Sequence, residues 1–363
     1  EANTAVGSEA LYSFTTGYNN TAVGYRALYA VTTAYENIAI GNNAMRYLTT
    51  GAWNVSIGIN SGPAAMGSRI VAIGELAGRY NKGVGNVHIG YRAGFQVSGS
   101  HNITIGHQAG YGGTSSAPYS TGTNNIGIGQ SAISGFTTGY NNVAVGGNAG
   151  SGISTGANNT LVGGSAGRYF DKTEDTTALG YLAGMNTTGS YNTFVGSEAG
   201  KGGTTSAPYS SGTANVALGY QALTGFTTGG DNTAIGRGAG QSITSGARNV
   251  IVGKYAGNAM TIGTNNVALG VHAMAAADGL ERETIAIGYY AGGAVNSDSA
   301  IRNVFIGESA GYGGTGALNY SVAIGYHALK STGTNGLSGT VAIGYEAGKD
   351  LTSGVGTYSN RFS

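Results

Sequence analysis

A nine-residue pattern recurs twenty times along the 363-residue chain. A period this short leaves one class of fold, a stack of like coils in which each copy covers its apolar face with its neighbours. The pattern is Asn-x-Ala-Val/Ile-Gly-x-x-Ala-Gly/Leu, as in Asn20-Thr21-Ala22-Val23-Gly24-Tyr25-Arg26-Ala27-Leu28. Its glycine runs from Gly7, Gly24 and Gly41 through Gly146 and Gly163 to Gly325 and Gly344, mostly in steps of 16 or 17 residues. The expected architecture is all-β: a parallel β-solenoid, a β-roll or β-helix, of about 20 coils with 16–23 residues per coil. A single repetitive domain is expected over 1–363, with motif coils over 1–349 and a C-terminal tail over 350–363. At an inter-strand spacing of about 4.8 Å, twenty coils would make a rod on the order of 95 Å long.

Within the motif, the residues three and one before the glycine, such as Val55 and Ile57, lie on one side of an extended strand. The residue between them, usually alanine, faces the other way. Apolar residues on both sides imply a strand covered on both. The expectation is that the larger Val/Ile side fills the coil and the alanine side meets another copy of the chain. The glycine itself is expected at a corner that needs positive φ or close backbone approach. Alanine recurs three residues after the glycine in nineteen coils, with Ser61 the exception, which predicts a second short strand facing a narrow interior.

Asparagine stands four before the glycine in fifteen coils, including Asn3, Asn37, Asn86, Asn125, Asn192 and Asn303. A side-chain amide at that turn can bond backbone and also its counterparts in adjacent coils, giving a ladder. Asn54-Val55-Ser56 and Asn102-Ile103-Thr104 are also glycosylation sequons, the less favoured reading of those two residues.

Composition removes several function classes. Formal net charge is +1 without a Lys/Arg cluster, so neither nucleic acid nor an acidic lipid surface is an expected partner. No apolar run approaches the roughly 20 residues that span a bilayer, so membrane insertion is not expected. Zero cysteine leaves no disulfide framework and no thiolate metal site. His88, His101, His107, His272 and His327 share no spacing. The acidic groups Asp171-Lys172-Thr173-Glu174-Asp175 and Asp278, Glu281 and Glu283 lack a calcium-loop signature and read as solvated loop charge. Strings such as Gly127-Ile128-Gly129 imitate nucleotide-binding fingerprints but have no helix to follow. A non-enzymatic protein with no catalytic, cofactor-binding or metal-binding residue is therefore expected.

Tyrosine is the suggestive residue. It follows the motif glycine at Tyr25, Tyr91, Tyr181, Tyr220, Tyr289, Tyr326 and Tyr345, where a stack would place a broken aromatic row along one corner. Two steps lengthen to 23 residues through similar insertions, 111–120 and 201–210, with Tyr111, Tyr119 and Tyr209 in them. The motif tyrosines could pack on sugar rings or a neighbouring fibre, with intramolecular stacking that stiffens the edge the favoured reading. The insertions suit outward contact better because loops can project from a rod, and all ten tyrosines stand as candidate contact residues. Each insertion is followed by a phenylalanine turn, Phe136-Thr137-Thr138-Gly139 or Phe226-Thr227-Thr228-Gly229, which makes a super-repeat of several coils. Motif coils run close to both ends without an obvious cap, so the expectation is either a chain cut from something longer or ends that stack on other subunits in a continuous filament.

The words Asn-Thr-Ala-Val-Gly-Tyr-x-Ala-Leu and Asn-Val-Ala-Leu-Gly-Tyr-x-Ala, over about Asn3 to Gly348, resemble the head repeats of trimeric autotransporter adhesins and the similar repeats of bacteriophage tail fibres. That resemblance implies a left-handed β-roll, three chains side by side, with valine and isoleucine filling each roll. It implies an extracellular protein of the virion or cell surface whose partners are its own copies and a host-surface polysaccharide or protein. The ending Asn360-Arg361-Phe362-Ser363 is compatible with the cleaved end of such fibres. The expected function is a structural shaft and adhesin. A filament polymerised head to tail and a carbohydrate-active tail spike are the alternatives.

Overall fold

Each coil contributes one three-residue strand over the positions three to one before the motif glycine, and like positions of successive coils pair in parallel. A computed structural model describes residues 2–64, 66–113, 119–204, 206, 209–277, 281–293, 300–313, 318–332, 337–351 and 360–362. The chain divides into two units, 1–176 and 177–363. Ten motif strands run through the first, from Thr4–Val6 to Thr160–Val162, and ten through the second, from Thr177–Leu179 to Val341–Ile343. Register is in phase with the repeat: Ala22 lies opposite Ala39 in the first unit and Ile251 opposite Ala268 in the second. The long steps do not disturb it, because Ile103 pairs Ile126 and Thr193 pairs Val216 directly. Among the described residues there is no helix. Both units are parallel β-solenoids.

The strand faces are the reverse of the expectation. The middle residue is buried in every coil after the first, as at Ala39, Ala144, Ala234 and Ala286. No residue three or one before the glycine is buried in either unit, and Ile38 and Ile40 remain 41% and 39% exposed. The physical reason is width. The opposite wall is the alanine three after the glycine, itself fully buried at Ala27, Ala93 and Ala239, so little volume lies between the two chain segments. Branched side chains fit outside the coil, and alanine fits inside.

Volume is exchanged between the two walls. Where the middle strand residue is large, glycine stands four after the motif glycine: a Cβ on Gly200 would lie 2.1 Å from Phe194, and one on Gly311 2.1 Å from Phe305. Where the strand residue is Gly127, Ile133 fills the space from the other side, 2.5 Å from where a Cβ on Gly127 would sit. Such complementarity keeps the interior filled, because a void forfeits both transfer and dispersion energy.

The expected second strand is instead a run of turns. Residues two and four after the glycine take left-handed φ, as Arg26 and Leu28 do at 54° and 52°, which excludes extended backbone there. Their amides still bond between coils: Arg26 N donates to Ser8 O at 3.0 Å and Leu28 N to Ala44 O at 3.0 Å. A further column is closed by single parallel bridges such as Tyr35 with Ala52 and Ala157 with Glu174.

The asparagine ladder is present and buried. Asn142 Nδ2 donates to Asn125 Oδ1 at 3.0 Å and to Gly156 O at 2.8 Å. Its Oδ1 accepts from the amide N of Asn159 at 3.1 Å and from Asn159 Nδ2 at 2.9 Å. Asn232, Asn249 and Asn266 repeat the arrangement in the second unit. The sequon residues belong to it: Asn54 Nδ2 donates to Asn37 Oδ1 and to Gly67 O, each at 2.9 Å, and Asn54 and Asn102 are fully buried. A glycan has no room on either.

Three interior strand positions are polar, Ser56, His88 and Thr104. His88 occupies the middle strand position, with Nε2 2.6 Å from Asn81 Nδ2 and Nδ1 2.7 Å from Thr104 Oγ1. Asn81 Oδ1 also accepts from Asn86 Nδ2 at 3.1 Å, where the ladder would otherwise break at Ile70. Burial pushes the imidazole down to about 3, so the folded chain holds it neutral. The unfolded chain takes up a proton near pH 6.5, so stability from this group is complete above that value and is lost as pH falls toward 3. The loss approaches about 4 kcal/mol at the acid end. Urea unfolding followed by the fluorescence of the single tryptophan, Trp53, will show a lower midpoint at pH 4 than at pH 7. His88→Gln will remove most of that difference. Equal pH dependence in the two proteins would contradict the assignment.

Candidate interaction surface

The reversed faces leave two columns of aliphatic side chains on the outside of each sheet. The column one before the glycine is Val, Ile or Leu in every coil: Val6, Val23, Ile40, Ile57 and Ile73 open the first unit. In the second, Leu218 is 45% exposed, and Val216, Val250, Ile285, Ile287 and Ile343 are exposed as well. Thr, Val or Ile fill the companion column three before the glycine. A contiguous ribbon of branched aliphatics is not what a solvated sheet face carries, and patches of this kind mark association surfaces. Sequence reasoning identified these residues and placed them on the wrong side. The signal that would have corrected it is the set of large residues, Leu161, Phe194, Ile251 and Phe305, in the middle position opposite a glycine.

The candidate tyrosines fall into three groups. Tyr326 and Tyr345, one coil apart, stack at 5.3 Å and 12°, so the expected row forms there. Tyr91 stacks on His107, which occupies the same position in the next coil, at 5.2 Å. Tyr25 lies beneath Arg26 at 4.8 Å, and Tyr289 meets Tyr290 edge-on at 4.6 Å. Tyr181 and Tyr220 are exposed, with no ring stacked on either among the described residues. Tyr111 and Tyr119 are half-buried rather than free, stacked on Phe95 at 5.3 Å and on Tyr80 at 5.0 Å. Tyr209 is half-buried as well. Residues 114–118, 205 and 207–208 of the insertions lie outside the described residues, as do Glu1, Asp278 and most of the tail over 350–363.

Aromatic rows also arise where the motif gave no hint. Tyr12 and Tyr29, 17 residues apart, stack at 5.2 Å and 4°. Tyr18 stacks on Tyr35 at 5.2 Å, Tyr35 meets Trp53 edge-on at 5.2 Å, and Arg69 caps Trp53 at 4.8 Å. Spacing of one coil length between tyrosines outside the motif would have revealed them.

Charged groups serve the stack. Arg26 Nε donates to Glu9 Oε2 at 2.7 Å, and this bond holds the guanidinium pKa above its ordinary value. Glu346 accepts from Lys349 Nζ at 2.9 Å, which holds its carboxyl below the usual range. Both pairs are solvent-screened and contribute little to stability. Of the acidic groups weighed as cation ligands, Asp171 accepts from Ser154 Oγ, and Asp175 accepts from Asn158 Nδ2 at 3.1 Å. Glu283 accepts from Arg302 Nε at 2.7 Å, while Glu281 is buried. The carboxylates of Asp171, Asp175 and Glu283 tie one coil to the next. No protein-family model matches the chain, and a search of curated proteins returns no significant match.

Proposed function

We propose that this chain is a non-enzymatic extracellular fibre protein, a structural shaft with an adhesive surface, that assembles as a homotrimer. The observation that carries the reading is the aliphatic ribbon, which the coil does not bury and which repeats with every turn of the solenoid. Another copy of the chain offers a ribbon of the same period, so coil can match coil along the contact. Covering what remains exposed of each such side chain is worth on the order of 1 kcal/mol. Over the ten coils of one unit the total exceeds the roughly 4–15 kcal/mol that association costs in lost freedom. Three chains, a left-handed coil, and a place on a virion or cell surface are what the resemblance to adhesin heads and tail fibres adds. The surface tyrosines then face a host polysaccharide or protein.

A double substitution on the ribbon, Ile128→Lys with Val145→Lys, tests this. Both side chains point out of the coil, so circular dichroism of the variant will keep its β signature while the assembly dissociates or weakens by at least about 3 kcal/mol. Ala144→Lys, between the two columns, will instead unfold the coil, because its side chain has only the filled interior to enter. An Ile128→Lys/Val145→Lys protein with unchanged mass and unchanged melting would sink the proposal. Negative-stain images separate discrete rods from the head-to-tail filaments of the alternative reading.

A further inference from the structure

We infer that the corner of the first unit built by Tyr12, Tyr25, Arg26, Tyr29, Arg46 and Tyr47 binds an acidic polysaccharide whose sugar rings carry carboxylates. The inference rests on the reading of the chain as a fibre that meets an outside surface, and it names the chemistry of that surface. Three consecutive coils supply the six residues, from positions one, two, five and six after the motif glycine. Tyr12 and Tyr29 stack nearly parallel, at 5.2 Å and 4°. Arg26 lies 4.8 Å from the ring of Tyr25 and 5.4 Å from that of Tyr29. Arg46 sits between Tyr29 and Tyr47, 5.8 Å and 5.5 Å from their rings. Tyr12, Tyr25 and Tyr47 are 68%, 40% and 49% exposed, so ring surface and phenolic hydroxyls stand open to solvent.

Charge decides what such a platform recognises. Arg26 is neutralised by Glu9 at 2.7 Å, whereas Arg46 has no carboxylate within ion-pair distance among the described residues. Its guanidinium is pinned by two rings, so a partner anion meets a fork whose entropy is already reduced. A planar carboxylate matches that fork bidentately. The open tyrosine faces suit the apolar face of a sugar ring, and their hydroxyls suit its polar rim. Nucleic acid is the poorer occupant: the chain carries a net charge of only +1, and among the described residues the corner has one cation without a carboxylate partner.

The test uses the whole chain, titrated calorimetrically at low salt with oligogalacturonate. Dextran supplies rings without charge, poly-glutamate charge without rings, and dextran sulfate rings with sulfates. Oligogalacturonate will bind, dextran will not, and poly-glutamate and dextran sulfate will bind at least about tenfold more weakly. Arg46→Gln and Tyr47→Ala will each weaken oligogalacturonate by about tenfold or more, with the melting temperature kept because neither side chain enters the coil. Four results would overturn the inference: no oligogalacturonate binding, poly-glutamate bound as tightly, dextran sulfate bound in preference, or affinity untouched by both substitutions. A chain that assembles as proposed and binds no oligogalacturonate would refute the saccharide site and leave the fibre reading standing.

Discussion

Replacing Gly146 by alanine will unfold the coils around it, while the same replacement at the adjacent Gly147 will be nearly silent. Gly146 sits at φ +134°, a conformation that side-chain-bearing residues rarely adopt, and a Cβ there would lie 2.5 Å from Gly163 O and 2.6 Å from Gly163 C. Those atoms are backbone, and Gly163 N is already held to Val145 O at 2.8 Å, so nothing can step aside without breaking the ladder. Strain and clash together set the loss at about 3 kcal/mol or more. Around Gly147 a Cβ meets nothing within 4 Å, and its φ is not positive. Gly147→Ala will therefore fall between neutral and about 1 kcal/mol stabilising, through the entropy of the unfolded chain. Hydrogen exchange at the amides of Val145 and Gly163 reads both effects locally, which suits a stack whose coils need not unfold together. Equal protection in the two variants would show that the corner does not demand glycine.

The second large effect is at the asparagine ladder. Asn142→Ala removes a donor to Gly156 O and to Asn125 Oδ1, and an acceptor for both the amide and the side chain of Asn159. Asn142, Asn125 and Asn159 are all fully buried, so water does not replace the lost partners. Leaving one such group unmet costs about 1–3 kcal/mol, and here at least two are left, so a loss of about 3–5 kcal/mol is expected. Asn142→Asp is the sharper probe. It keeps the shape and replaces the Nδ2 donor by an acceptor that faces Gly156 O and Asn125 Oδ1, so it will destabilise at least as much at pH 7. Urea unfolding of both variants checks this. A loss under about 1 kcal/mol would mean that the ladder ornaments the stack rather than holding it.

Period, parallel pairing, corner glycines and the amide ladder were legible in the sequence because each is imposed at a fixed spacing by backbone geometry. Gly7 to Gly344 mark corners whatever surrounds them, and Asn20, Asn37 and Asn54 must meet once they recur in register. Which side of the strand faces inward was not legible from hydrophobicity. Alternation distinguishes two faces but does not rank them, and Val55 and Ile57 are better core residues than alanine by every transfer scale. The interior is chosen by width, and width depends on the opposite wall, where Ala27 and its equivalents and a left-handed turn bring the backbone close. Turns replaced the second strand for a related reason: residues such as Arg26 and Leu28 have no local preference for left-handed φ, and contacts between coils hold them there. Of the surface, the tyrosines of the motif were legible by position. The partners they stack on, His107 on Tyr91 or Phe95 on Tyr111, depend on coil-to-coil register and on residue types that vary between coils.

The aliphatic ribbon is the feature on which the functional account stands, and the mass of the particle in solution tests it most directly. Sedimentation equilibrium of the unmodified protein is expected to give three times the 36.1 kDa chain mass, independent of loading concentration over the micromolar range. A stable, soluble species at 36.1 kDa, with those valines and isoleucines open to water, would contradict it.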